Sequence, residues 1–290
     1  MRLRGYLHRV ARRRLLALLA AAGCLVLAVA VWALVFRTGP GQAADQAAFS
    51  GFLKLQGTAA EPIASRVATL CNPAPYAVLV GVLLLLALAL RGPRHALASI
   101  AVITATNAVT QLLKPALAGP RLSGPVTGRE YVLAASWPSG HSTAAMALAL
   151  CAVLIAPAAV RRLVAVVGGL FAIAVAYSVV LLGWHLPSDA LGGFAVAGAG
   201  VALALWALWS AEARWPSASR PPTVRAAWAA QAPAVRLTAG VAVAVVAAVV
   251  VRTALWLPSQ REQAAFLAVA GSIVVLALAL SAIAARAQPA

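Results

Sequence analysis

Apolar residues in this chain fall in long unbroken runs, without the alternation of half-buried strands or the one-sided stripe of soluble helices. The runs cover 15–36, 75–90, 96–117, 141–156, 163–182, 190–209, 235–255 and 264–285. Each approaches the roughly 20 residues that an α-helix needs to cross a bilayer core, so the pattern predicts eight membrane spans. Polar segments punctuate them. The stretch 37–72 carries mixed charges and helix-compatible pieces such as 46–54, and Arg91-Gly92-Pro93-Arg94 reads as a tight turn. A loop rich in Gly and Pro covers 118–140, while Pro157 and Arg161-Arg162 close the fourth span. The chain then changes character at 210–234, with Pro216, Pro221, Pro222 and several Arg. The expected organisation is a six-helix membrane domain over 1–210, a cytoplasmic linker over 211–234 and a two-helix C-terminal membrane appendage over 235–290.

Composition supports an all-α integral membrane protein. The 290 residues are 63% hydrophobic and only 10% charged, too few charges to cover a soluble domain of this size. The net charge of +17 does not indicate a nucleic-acid partner, because the Arg residues sit in short clusters between apolar runs, where they fix membrane topology. With the N-terminus cytoplasmic, 15 of the 23 basic residues fall on the inner side, which orients the spans. Lys54 and Lys114 are the sole lysines, and abundant Arg and Ala suggest a bacterial genome rich in GC. Cys24, Cys71 and Cys151 form no redox or metal spacing. The apolar run around Ala22-Gly23-Cys24 continues to Phe36, which reads as an uncleaved signal anchor.

Chemistry-bearing residues are scarce, so their placement is informative. Of four histidines and two aspartates, His141, His185 and Asp189 stand at span ends on the predicted outer face. Lys114 and Arg121 flank the outer end of the third span, seven residues apart. Phosphoryl transfer spreads negative charge over three oxygens and needs several fixed donors. Two cations and the start of a helix at Ser139-Gly140 could supply them, since the first N–H groups of a helix lack intrahelical partners. His185 and Asp189 are spaced i, i+4, so the carboxylate can lie beside the imidazole and fix its tautomer. Taken singly, that pair reads first as a structural hydrogen bond, and Pro138-Ser139-Gly140 as a turn and helix cap.

Together these residues resemble the three-part signature of the type 2 phosphatidic acid phosphatase (PAP2) superfamily: K-x6-R-P, then P-S-G-H, then S-R-x5-H-x3-D. Here they read Lys114…Arg121-Leu122, Pro138-Ser139-Gly140-His141 and Ser178-Val179…His185…Asp189. The resemblance covers the first six spans. It implies that His185 is a nucleophile forming a phosphohistidine, that Asp189 orients it, and that His141 protonates the leaving group. It likewise implies that Lys114, Arg121, Ser139 and the Gly140 backbone hold the phosphate, with no metal or other cofactor.

Two positions depart from the signature. Leu122 replaces a Pro that mainly shapes the chain, and Val179 stands where the family has a phosphate-binding Arg. Losing one charged donor costs about 2–4 kcal/mol of transition-state stabilisation by analogy with oxyanion-hole donors. Arg129 in the outer loop is a candidate substitute. The expected function is hydrolysis of a lipid phosphomonoester or pyrophosphate on the extracytoplasmic face of a bacterial inner membrane, preferably of a polyprenyl carrier or polyprenyl-phosphoryl sugar phosphate. A lipid phosphotransferase on the same fold is the first alternative. A non-catalytic lipid-binding module, suggested by Val179, is the second.

Overall fold

The computed structural model describes residues 2–119, 132, 134–215, 244, 248, 250–251, 254–255 and 260–287. Among the described residues there are nine helices and no strand: α1 (Arg2–Arg37), α2 (Gly39–Leu53), α3 (Ala60–Thr69), α4 (Pro73–Arg91), α5 (Pro93–Ala116), α6 (Gly140–Ile155), α7 (Arg161–Leu181), α8 (Pro187–Arg214) and α9 (Gln260–Arg286). Helices α1, α4, α5, α7, α8 and α9 are long and apolar enough to cross a membrane, and α6 is a shorter apolar helix of 16 residues. The all-α membrane architecture expected from the apolar runs is therefore present.

Local chemistry sets the boundaries. Pro73, Pro93 and Pro187 each open a helix at a position whose missing N–H costs nothing. Gly92 ends α4 and opens α5 with φ 85°, a left-handed conformation that only glycine adopts without strain. Ser139 caps α6 by accepting from the Ser142 N–H. Some elements differ from the expected limits. Helix α1 runs back through the Arg cluster to Arg2, because Arg is a good helix former. The polar stretch 37–72 folds into α2 and α3. Helix α8 begins at Pro187 and continues to Arg214, so the first residues assigned to the linker are helical until the chain nears Pro216. The rest of that linker and most of the expected span 235–255 lie outside the described residues.

The short helix α6 is the centre of the molecule. It packs against α4, α5, α7, α8 and α9, and nearly every side chain from Ser142 to Ile155 is buried. Met146, Leu150 and Leu154 meet Ile173 of α7, Phe194 of α8 and Ile273 of α9 in one apolar core. Helix α9 packs on this bundle through Ile273 and Ala277, and the Tyr177 hydroxyl of α7 donates to the Ala270 carbonyl at 2.8 Å. Near one end, Phe52 of α2 meets Tyr177 edge-on and Phe266 at a tilt, and Val250 and Ala254 from the expected seventh span join the same cluster.

The two ends of the bundle carry different chemistry. At one, Arg91 donates to the Ile155 and Ala156 carbonyls at 3.1 and 2.7 Å, Arg161 donates to Ala156, and Arg13 lies 4.5 Å over the Trp209 ring. The other end holds Asp45, Lys114, His141, His185 and Asp189, where α6 and α8 begin side by side. Their approach is close because Gly193 has no side chain: a Cβ there would lie 2.8 Å from both Ser139 O and Thr143 Oγ1. Gly193→Val should lower the melting temperature in detergent, by about 1–3 kcal/mol of stability. Gly81→Val, where an added Cβ meets nothing within 4 Å, should change it by less than about 0.5 kcal/mol.

Candidate active site

The turn between α7 and α8 presents His185. Gly183 reverses the chain with φ 81°, after which the Trp184 and His185 N–H groups donate to the Val179 carbonyl at 3.0 and 3.3 Å. Leu186 is extended, and Pro187 then starts α8. In the first turn of that helix Asp189 is 0% exposed, and its Oδ2 faces His185 Nδ1 at 3.1 Å. The same oxygen accepts from the Leu186 N–H at 3.1 Å. An ionised carboxylate only accepts, so Nδ1 carries the ring proton and Nε2 keeps the lone pair. The sequence spacing anticipated this pairing, and the turn gives it direction.

The start of α6 lies against this turn. The Ser139 N–H donates to the Asp189 carbonyl at 2.9 Å, and Ser139 Oγ accepts from Ser142 N at 3.3 Å. Lys114, near the end of α5, reaches the same place: a Cβ on Gly140 would sit 3.8 Å from its Nζ and 3.5 Å from Gln111 Nε2. A Cβ at 140 would thus meet both at ordinary van der Waals distance. The N–H groups of Gly140 and His141 belong to a first helical turn, where no intrahelical acceptor exists, and the helix dipole adds positive potential. The His141 ring lies at a 52° tilt, 5.5 Å from the half-exposed Trp184 ring, and its Nε2 is 3.0 Å from Asn72 Oδ1. His185 and Lys114 both act on its electrostatic environment.

The fold thus gathers His141, His185, Asp189, Ser139, Gly140 and Lys114 from three separated segments. Arg121, Leu122 and Arg129 lie outside the described residues. Val179 is fully buried, and it supports the His185 turn through its carbonyl oxygen. Two contributors escaped sequence reading. Asp45 of α2 accepts from the Ser188 N–H at 2.9 Å and from Ser188 Oγ at 2.6 Å, which ties α2 to the first turn of α8. Asn72, just ahead of Pro73, holds His141. Scarcity was the available hint for Asp45, one of two aspartates in the chain. Among the described residues, no three His, Cys, Asp or Glu side chains form a group that could hold a metal ion.

An all-α membrane protein with a histidine–carboxylate pair, a second histidine and a lysine at one end of its bundle matches a known class. Residues 95–214, which run from α5 through α8, match the family model of the PAP2 superfamily. The fold is similar to the crystal structure of a transmembrane PAP2-type phosphatidylglycerolphosphate phosphatase from Bacillus subtilis, with a TM-score of 0.53 and 21% sequence identity. That likeness covers 69% of this chain and 99% of the other. No curated protein matches the chain significantly. The family resemblance drawn from the three motifs is borne out by the family model.

The Asp45 contact sits apart from the signature residues and has its own consequence. Replacing Asp45 with Ala leaves two buried Ser188 donors without their acceptor, which should cost about 1–3 kcal/mol in a thermal melt. Asp45→Asn keeps an acceptor and should lose less.

Proposed function

We propose that this protein hydrolyses a lipid phosphomonoester or pyrophosphate through a phosphohistidine formed on His185. The observation that carries this reading is the 3.1 Å contact between His185 Nδ1 and the buried Asp189, which leaves Nε2 as the nucleophile beside His141 and Lys114. In the first step Nε2 attacks phosphorus, a P–N bond forms, and the P–O bond to the lipid oxygen breaks. His141 gives its proton to that departing oxygen. In the second step His141 takes a proton from water, which attacks phosphorus and releases inorganic phosphate, restoring His185. Lys114, Arg121, Ser139 and the Gly140 N–H hold the equatorial oxygens, where the charge develops.

The placement of the Arg residues supports an extracytoplasmic site. Arg13, Arg91, Arg94 and Arg161 cluster at the end of the bundle opposite His185, as expected of a cytoplasmic face. A substrate whose tail stays in the leaflet can bring its phosphate to such a site. Polyprenyl pyrophosphate and polyprenyl-phosphoryl sugar phosphate are the preferred substrates. Phosphatidylglycerol phosphate, the substrate class of the structural neighbour, is the main competitor.

Phosphate release from these lipids and phosphatidic acid, measured on purified protein with chelator present, tests the reading. Release should persist in chelator, vanish in His185→Ala and fall roughly 10²–10⁴-fold in His141→Ala. Substrate loss without matching free phosphate would mark the transferase alternative. The non-catalytic alternative draws on Val179, apolar and 0% exposed where the signature has Arg. Turnover by the natural sequence removes it. An inactive natural sequence revived by Val179→Arg would establish it.

A further inference from the structure

Asn72 occupies the N-cap position of α4, where an Asn side chain ordinarily accepts from its own helix. Here it makes no such cap. Its Oδ1 lies instead 3.0 Å from His141 Nε2, across 69 residues of sequence. The perch is firm. The Asn72 N–H donates to Thr69 O at 3.0 Å, and the Asn72 carbonyl accepts from Tyr76 N at 2.9 Å. The Tyr76 hydroxyl then donates to Ala144 O at 3.2 Å, so the start of α4 is tied to the helical turn that carries His141.

We propose that Asn72 is the positioning residue of His141, holding the ring at Nε2 so that proton exchange with substrate runs through Nδ1. This rests on the reading of His141 as the proton donor to the leaving group. The chemistry is that of an amide oxygen, which only accepts. With Oδ1 against Nε2, the Nε2 proton stays in place in both the neutral ring and the imidazolium. Nδ1 is then the atom that gains and loses a proton during turnover. The same contact favours the charged ring, because a hydrogen bond to an ionised donor is stronger than one to its neutral form. Burial of the ring opposes that charge, as do the neighbouring His185 and Lys114 of α5, and Asp189 of α8 lies beyond His185. Of the other charges on neighbouring helices, Arg91 of α4 and Arg161 of α7 sit at the far end of α6, and Glu262 of α9 lies 3.9 Å from Lys54.

Two variants read the role without relying on activity alone. Asn72→Asp keeps the shape and puts a carboxylate against Nε2. It should raise the His141 titration midpoint by about 1–3 units, and the basic limb of the phosphate-release profile should rise with it. Asn72→Ala removes the acceptor, so the midpoint should fall and turnover should drop roughly 10- to 100-fold. The ring nitrogens, followed by ¹⁵N-histidine NMR with His141→Gln to assign the signal, should show one Nε2–H tautomer in the natural protein and a mixture in Asn72→Ala. An unmoved titration and tautomer in the variants would overturn the proposal, whatever their activity. If Asn72→Ala does not fold, the isosteric Asn72→Asp carries the same test. Failure of the natural protein to release phosphate from any lipid would overturn the phosphatase reading, while the NMR titration would still decide the role of Asn72.

Discussion

The site depends on the seam where α6 and α8 begin side by side. One backbone bond, from the Ser139 N–H to the Asp189 carbonyl, closes it. That bond forms only because Gly193 lets the helices approach to a distance that a Cβ would forbid. It aligns two helix starts with opposite duties. In the proposed reaction the first turn of α6 offers N–H groups to an anion, and the first turn of α8 supplies the carboxylate that orients the nucleophile. Were the helices a few ångströms further apart, the proposed phosphate-binding and nucleophilic halves would no longer serve one phosphorus atom. Geometric error of that size is costly in any reaction that depends on alignment.

Charge at this seam is unusual for a membrane interior, and the structure answers each case locally. Asp189 is enclosed, yet it accepts from His185 and from the Leu186 N–H. Asp45 is likewise buried and faces both donors of Ser188. Unsolvated carboxylates in an apolar setting are expensive unless donors replace water, and here backbone N–H groups do so. The helix N-termini add a favourable potential to both. The polar segment before α4 therefore forms part of the site, since α2 brings Asp45 and the α3–α4 junction brings Asn72.

Much of this was legible in the sequence because apolar runs and scarce ionisable residues are strong signals in a membrane protein. Helices α4 to α8 came from run length and from Pro and Gly at their limits. His141, His185, Lys114 and Asp189 stood out as rare groups at span ends. What escaped was of two kinds. Pairings between distant segments, such as Asp45 with Ser188 and Asn72 with His141, leave no periodicity in the chain. Helicity in polar stretches was also understated, in α2, α3, the Arg-rich start of α1 and the end of α8, because hydropathy reports the membrane and not the backbone. Val179 shows the reverse case. The sequence exposed its oddity, and the fold explains why an apolar side chain is accommodated there: the position is enclosed, and its carbonyl still supports the His185 turn.

The brevity of α6 has a consequence for the depth of the site. Its 16 residues make a rod of about 24 Å, shorter than a typical hydrocarbon core of about 30 Å. Arg91 and Arg161 cover the carbonyls at one end, so that end is already solvated by guanidinium groups. Because α6 is enclosed by the longer helices α4, α5, α7, α8 and α9, the deficit is met by depth at its ends. In the proposed reaction a phosphate must therefore reach inward past the ends of those longer helices to meet the first turn of the central one.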